Sequence, residues 1–127
     1  MITIAQAVRL HEHMIKDHGG SPGVRDEAGL LAALGRPYAT FGGEDLYKDV
    51  FEQAAAIGES IIMNHPFVDG NKRTGFALMM YILEKGGFWI YAPSEEVYQF
   101  VVDLATGEKR FEEAVEWLRT HSTPAKL

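Results

Sequence analysis

Cysteine is absent from the chain. With no thiol there is no disulfide frame, no thiolate metal site and no thiol redox chemistry. Basic residues are also scarce: 12 Lys and Arg stand against 18 Asp and Glu, a formal net charge of −6. That balance opposes nonspecific attraction to DNA, RNA or an anionic membrane, although it allows a local positive pocket. A nucleic-acid reader is therefore not expected. No apolar run reaches the roughly 18 residues that a membrane helix needs. The amino terminus, MITIAQAVRLHEHMIKD, breaks its apolar positions with charge, unlike a secretory leader. A cytoplasmic location is the resulting expectation. Internal repeats, low-complexity tracts and domain linkers are missing, as are the phosphate loops GxxxxGK(S/T) and GxGxxG. Any nucleotide chemistry has to arise elsewhere.

What is present is enough for one domain over residues 1–127, with 46% hydrophobic residues. Thr3 and Gln6 form a capping-box pattern, and Ile4, Val8, Leu10, Met14 and Ile15 suit the buried stripe of a helix ended by Gly19 and Gly20. Asp26 caps a second helix carrying Leu30, Leu31 and Leu34, stopped by Gly35 and Pro37. Residues 38–48 have no sustained period and read as a loop, a candidate flap. Asp49 and Glu52 open a third helix through Val50, Phe51, Ala54, Ile57, Ile61 and Ile62, which Pro66 ends near His65.

The uncharged run TGFALMMYIL, 74–83, predicts a helix surrounded by protein and hence the centre of the domain. GGFWIYAP, 86–93, reads as an extended link that cannot build a sheet by itself. Ser94 then caps a helix with Glu95 and Glu96 in its first turn, which Gly107 ends. A last helix, 111–120, buries Phe111, Val115 and Leu118, with a frayed tail past Ser122. The expected fold class is all-α, a compact single-domain bundle of about six helices.

Between the third helix and the central one lies HPFVDGNKR, residues 65–73. The first turn of a helix offers unpaired N–H groups and the positive end of the dipole, which together favour an anion. Gly70 permits close approach to that backbone. Lys72 and Arg73 are unfavourable against the dipole by about 0.3–1 kcal/mol each unless an anion is bound. A single carboxylate, Asp69, is a typical protein contribution to Mg²⁺, which takes further ligands from water and substrate phosphates. His65 is the residue type that accepts a proton near neutral pH. Base, metal acid, amide cradle and cations are the parts of phosphoryl-type transfer.

Competing readings are weaker. Asp69 and Asn71 beside glycine also suit a turn, and the two cations also suit a solvated surface. A calcium loop starting at Asp69 would need its glycine at Thr74 and its glutamate at Met80, so it fails. His11 and His13 face different sides of a helix, and His18 lies two turns from His11, which disfavours a metal site. Phe88, Trp89 and Tyr91 could stack a base but read as packing.

HPFVDGNKR resembles the signature of the Fic/Doc superfamily at every specified position. GGSPGVRDEAGLLAALGRP and NHPFVDGNKRTGFALMMYILEKGG resemble its death-on-curing (Doc) branch, and the short length is similar to that branch's toxins across nearly the whole chain. The resemblance implies a small helical bundle and a toxin of a type II toxin–antitoxin system. Most Fic proteins carry glycine before the final arginine and transfer AMP. This chain has Lys72, as Doc toxins do, and Doc is a kinase that phosphorylates a threonine of translation elongation factor Tu.

By resemblance, His65 deprotonates the target hydroxyl and Asp69 holds Mg²⁺. Gly70, Asn71, Lys72 and Arg73 bind the phosphates of ATP, and Phe67 anchors the loop in the core. An inhibitory helix is not found; the nearest match, Thr40 to Glu44, is followed by Asp45. A Phd-like antitoxin is the implied partner, with exposed members of the cluster Tyr38, Phe41, Tyr47 and Phe51 as candidate groove residues, core packing being the expectation for most of the cluster. Glu12, Arg25 and Asp26 match the branch's N-terminal pattern and read as salt-bridge or cap residues. Two alternatives stay open: an AMP transferase using the same residues, and a non-enzymatic regulator acting through its antitoxin.

Overall fold

The computed structural model describes residues 1–125. Six α-helices make up most of it: α1 (Ile4–His18), α2 (Glu27–Gly35), α3 (Val50–Asn64), α4 (Asn71–Lys85), α5 (Ser94–Thr106) and α6 (Phe111–Thr120). The fold class is all-α, as the periodicity predicts. The Thr3 and Gln6 side chains bond each other's backbone N–H groups at the start of α1. Asp26 accepts from Gly29 N at 2.9 Å to open α2, and Asp49 accepts from Glu52 N at 2.9 Å to open α3.

The helix enclosed on every side is α3, not α4. Residues 54–62 of α3 are all buried, whereas α4 buries one face, through Thr74, Gly75, Leu78, Met79, Ile82 and Leu83. The uncharged run of α4 misled because Phe76, Ala77 and Met80, only partly buried, line a cleft, Phe76 also packing against the core. Against α2 and α6, α3 carries Glu59, 6% exposed, which Arg36 and Arg110 hold at 3.0 and 3.2 Å. In α1 the deepest positions are Ala7 and His11, with the expected stripe of Ile4, Val8, Leu10, Met14 and Ile15 only partly buried. Leu31, expected inside, is 53% exposed, because Leu30, Ala33 and Leu34 take the inner face of α2.

Two short antiparallel ladders depart from the all-helical reading. The expected loop at 38–48 contains a hairpin, β1 (Thr40–Phe41) with β2 (Glu44–Asp45), turned by Gly42 and Gly43 after a 3-10 turn at Arg36–Tyr38. The extended link becomes β3 (Phe88–Ile90), paired with β4 (Ser122–Pro124) in the register Trp89↔Thr123. A strand at 88–90 could find no partner nearby in sequence; the one it uses comes from the tail expected to fray. Ser94 is the first residue of α5 rather than its cap, which is Pro93 with no side-chain bond.

The close crossing of α3 and α4 depends on glycine. A Cβ on Gly75 would lie 2.6 Å from Ile62 Cγ1, and one on Gly58 would lie 2.5 Å from Met79 Sδ and Cε. Ile62 is β-branched and stiff, whereas a thioether chain can swing aside. Gly75→Ala should therefore cost about 1–2 kcal/mol in urea unfolding, overpacking outweighing the helix propensity gained. Gly58→Ala should stay within about 1 kcal/mol of the parent.

Candidate functional site

The segment 65–73 forms the junction between α3 and α4, and its interior residue is Phe67. Its ring is fully buried and stacks on the His11 ring at 4.0 Å between centroids and 7° between planes. The Asn71 side chain closes the loop beneath: its Oδ1 accepts from Phe67 N at 3.0 Å, and its Nδ2 donates to Phe67 O at 2.9 Å. Both backbone groups of a buried residue are thus satisfied by one amide. Asn71 is only 6% exposed, so what it offers a cleft ligand is its backbone N–H rather than its side chain.

The loop between α1 and α2 lies across this junction as a clasp. Val24 forms an isolated antiparallel bridge with Phe67, Val68 N donates to Gly23 O at 3.0 Å, and Arg25 N and Asp26 N both donate to Pro66 O. His11 Nε2 lies 2.7 Å from Asp69 O. A carbonyl can only accept, so this ring nitrogen carries the proton and donates.

Two backbone N–H groups hold the Asp69 carboxylate, Ser21 at 3.1 Å to Oδ2 and Gly70 at 2.8 Å to Oδ1. These bonds, Ser21 first and then Gly70, with lesser help from the charges of His11 and Lys72, hold its pKa below the ordinary aspartate value. The carboxylate is itself fully exposed. Each oxygen keeps a lone pair directed away from its N–H donor, so above the ordinary carboxylate range an exposed, ionised oxygen donor is available to a hard cation. Among the described residues no cluster of three or more His, Asp or Glu side chains converges. The donor set therefore suits Mg²⁺ completed by water and phosphate oxygens rather than a closed protein cage.

His65 ends α3 as its C-cap with φ 51° and ψ 59°, and its side chain is exposed to a cleft. Gly70 enters α4 with φ 73°, a left-handed turn that a side chain would strain. No side chain caps the N-terminus of α4, so its first N–H groups are left to whatever lies outside. Lys72 and Arg73 are exposed on that first turn and form no ion pair among the described residues.

One cleft of about 1000 Å³ brings together His65, Asp69, Gly70, Asn71, Lys72 and Arg73. That is the upper end of the range of roughly 300–1,000 Å³ typical of small-molecule sites. Its other wall is apolar and comes from Met14, Phe76, Met80, Val97, Tyr98 and Val101 of α1, α4 and α5. The cleft is thus charged at one end and apolar at the other. Of the residues of the 65–73 motif given a role in the sequence, only Phe67 lies outside the cleft lining, beneath it in the core.

The sequence reading missed His11, which looked like a poor metal ligand and instead supports the Asp69 backbone. The available signal was its position four residues after Ala7, on one helix face. It also missed Gly20 and Ser21, where a Cβ on Gly20 would lie 2.7 Å from Asp69 Oδ2. Arg25 and Asp26 act as caps, and neither forms an ion pair among the described residues. Phe88 and Trp89 belong to β3 and Tyr91 follows it; none of the three lines the cleft.

The third and fourth helices of the bundle thus meet at an imidazole, a lone carboxylate and an uncapped helix N-terminus. The family model described as the Fic/DOC family matches residues 1–83, and the chain belongs to that family. A relative named "Toxin Doc", from Mycolicibacterium smegmatis, is 43% identical over 74 residues, 58% of this chain and 57% of the relative. Another, "Protein kinase doc" from Escherichia phage P1, is 30% identical over 118 residues, 93% of this chain and 92% of the relative. In the former match the aligned stretch spans little more than half of the relative's length.

Two consequences of the loop geometry can be measured. Asn71→Ala leaves both polar groups of buried Phe67 without partners and should cost about 2–6 kcal/mol of stability in urea unfolding, at about 1–3 kcal/mol per orphaned group. A carboxyl-carbon NMR titration should place the Asp69 midpoint below that of an unstructured aspartate. Because the folded value is the lower one, its hold on Ser21 and Gly70 is fully present above the ordinary carboxylate range. It is lost as pH falls through the depressed folded value.

Proposed function

We propose that the chain is a Doc-type toxin that transfers the γ-phosphoryl group of ATP to a hydroxyl side chain of a protein. The observation that carries this reading is the placement of an exposed His65 in one cleft with Asp69, Lys72, Arg73 and the uncapped N-terminus of α4. The relatives named as a toxin and as a protein kinase support it.

In this reaction His65 takes the proton of the incoming hydroxyl as its oxygen bonds to the γ-phosphorus. The bond from that phosphorus to the β,γ-bridging oxygen breaks, and ADP leaves with the electron pair. Lys72, Arg73 and the first N–H groups of α4 hold phosphate oxygens and offset the charge that spreads over them. Asp69 would hold Mg²⁺, which when bound neutralises phosphate charge. The apolar wall from Met14 to Tyr98 excludes water and receives the nucleoside end.

Lys72 favours the kinase over AMP transfer. A long cation on the first turn fills space that glycine would leave beside the phosphates, which changes the nucleotide pose the cleft accepts. By the same resemblance the target is a threonine of translation elongation factor Tu, and the brake is a Phd-like antitoxin.

Purified protein incubated with elongation factor Tu and labelled ATP provides the test. Label from the γ-phosphate should appear on the target, and His65→Ala should reduce the rate by at least about 100-fold, at the low end of a general base's contribution. Label from the α-phosphate would instead establish AMP transfer. Growth arrest that survives His65→Ala would establish a non-enzymatic action.

A further inference from the structure

His65 is the one non-glycine residue with positive φ among the described residues. A left-handed residue at a helix C-terminus is usually glycine, sometimes asparagine, because a side chain is crowded there. Pro66 disfavours right-handed helical geometry at the residue before it. Residue 65 is thus left with two options, left-handed or extended. They direct the Cα–Cβ bond and the carbonyl differently, so the choice decides where the imidazole lies.

The side chain of Arg25 bears on that choice. Its Nε donates to His65 O at 2.7 Å and its Nη2 donates to Asn64 O at 2.8 Å. One planar fork holds two successive carbonyls, a geometry for which guanidinium is preorganised and an ammonium is not. An extended residue 65 would turn its carbonyl out of the fork. The positive charge also lies at the negative end of the α3 dipole. Arg25 forms no ion pair among the described residues, so its hydrogen bonds go to these carbonyls. The backbone bonds of the clasp act further along, on Pro66 O and Val68 N. Among the described residues, Arg25 is the side chain that fixes residue 65 itself.

We propose that Arg25 is a positioning residue: its guanidinium selects the left-handed conformation of His65 and so aims the imidazole into the cleft without touching substrate. This rests on His65 being the proton acceptor of the transfer reaction. It extends that reading to a second loop, making the α1–α2 clasp part of the site.

The test separates the conformational claim from the catalytic one. In Arg25→Ala, the three-bond coupling between the amide and α protons of residue 65 should move from its left-handed to its extended value. The affinity for ATP with Mg²⁺, read by calorimetry, should stay within about twofold, because Arg25 lies outside the phosphate cradle. The kcat should fall about 10- to 100-fold, as expected for a reacting group displaced by roughly 1 Å. Adding methylguanidinium should restore part of that kcat. Arg25→Lys should stay impaired despite keeping the charge, and it serves as the second variant should the alanine form fold poorly.

An unchanged coupling at residue 65 in both variants would overturn the proposal. So would a kcat loss that guanidinium does not rescue and that tracks a matching loss of ATP affinity and thermal stability, since that is the behaviour of a general structural contact. Should the unsubstituted protein transfer no phosphoryl group, the coupling measurement would still decide whether Arg25 sets the conformation. Failure of the reaction and failure of the positioning claim are therefore distinguishable.

Discussion

Asn71 holds the backbone of Phe67 from both sides, and the architecture of the site follows from that contact. A loop joining two buried helices has to satisfy its own polar groups, and the amide does so while Phe67 fills the core against His11. With the loop held at its middle, its two ends become defined positions. His65 is left at the end of α3, and Asp69 and Gly70 are left at the start of α4. A carboxylate and an imidazole on an untethered loop would sample many separations. Here they are attached on either side of a buried anchor.

The second constraint comes from outside the motif. The α1–α2 loop supplies an N–H to the Asp69 carboxylate from Ser21, two N–H groups to Pro66 O, and the guanidinium fork on Asn64 and His65. The motif alone would place the right chemistry at the junction; the clasp orients it. Under the proposed phosphoryl transfer this division is physically reasonable, since proximity contributes only when the reacting atoms are also aligned. The left-handed conformation at His65 is then a local strain maintained by its surroundings.

The site nonetheless belongs to a protein with a net charge of −6. The acidic surplus lies elsewhere, and the exposed pair Lys72 and Arg73 stands beside one carboxylate at a helix N-terminus. Under the proposed function, an anionic ligand would meet locally positive charge at this junction despite the acidic balance of the chain. Part of the apolar wall opposite comes from Phe76 and Met80 of α4, with the rest from α1 and α5.

The six helices were legible in the sequence because apolar periodicity and capping residues such as Thr3, Asp26 and Asp49 are local properties. The residues of the candidate site were legible for the same reason: histidine, aspartate, glycine and two cations fall within one short run before an uncharged helix. Properties that depend on residues distant in the chain were not. The pairing of 88–90 with 122–124 joins segments on either side of two helices. Enclosure of α3 rather than α4 depends on which neighbours pack around each. The support given by His11, Ser21 and Arg25 arises from contacts across some 40 to 58 positions of sequence. Chain-local chemistry determined which groups this protein brings to its cleft. Only tertiary packing decided how they are held, because a hydrogen-bond donor has no assigned acceptor until the fold puts one within reach.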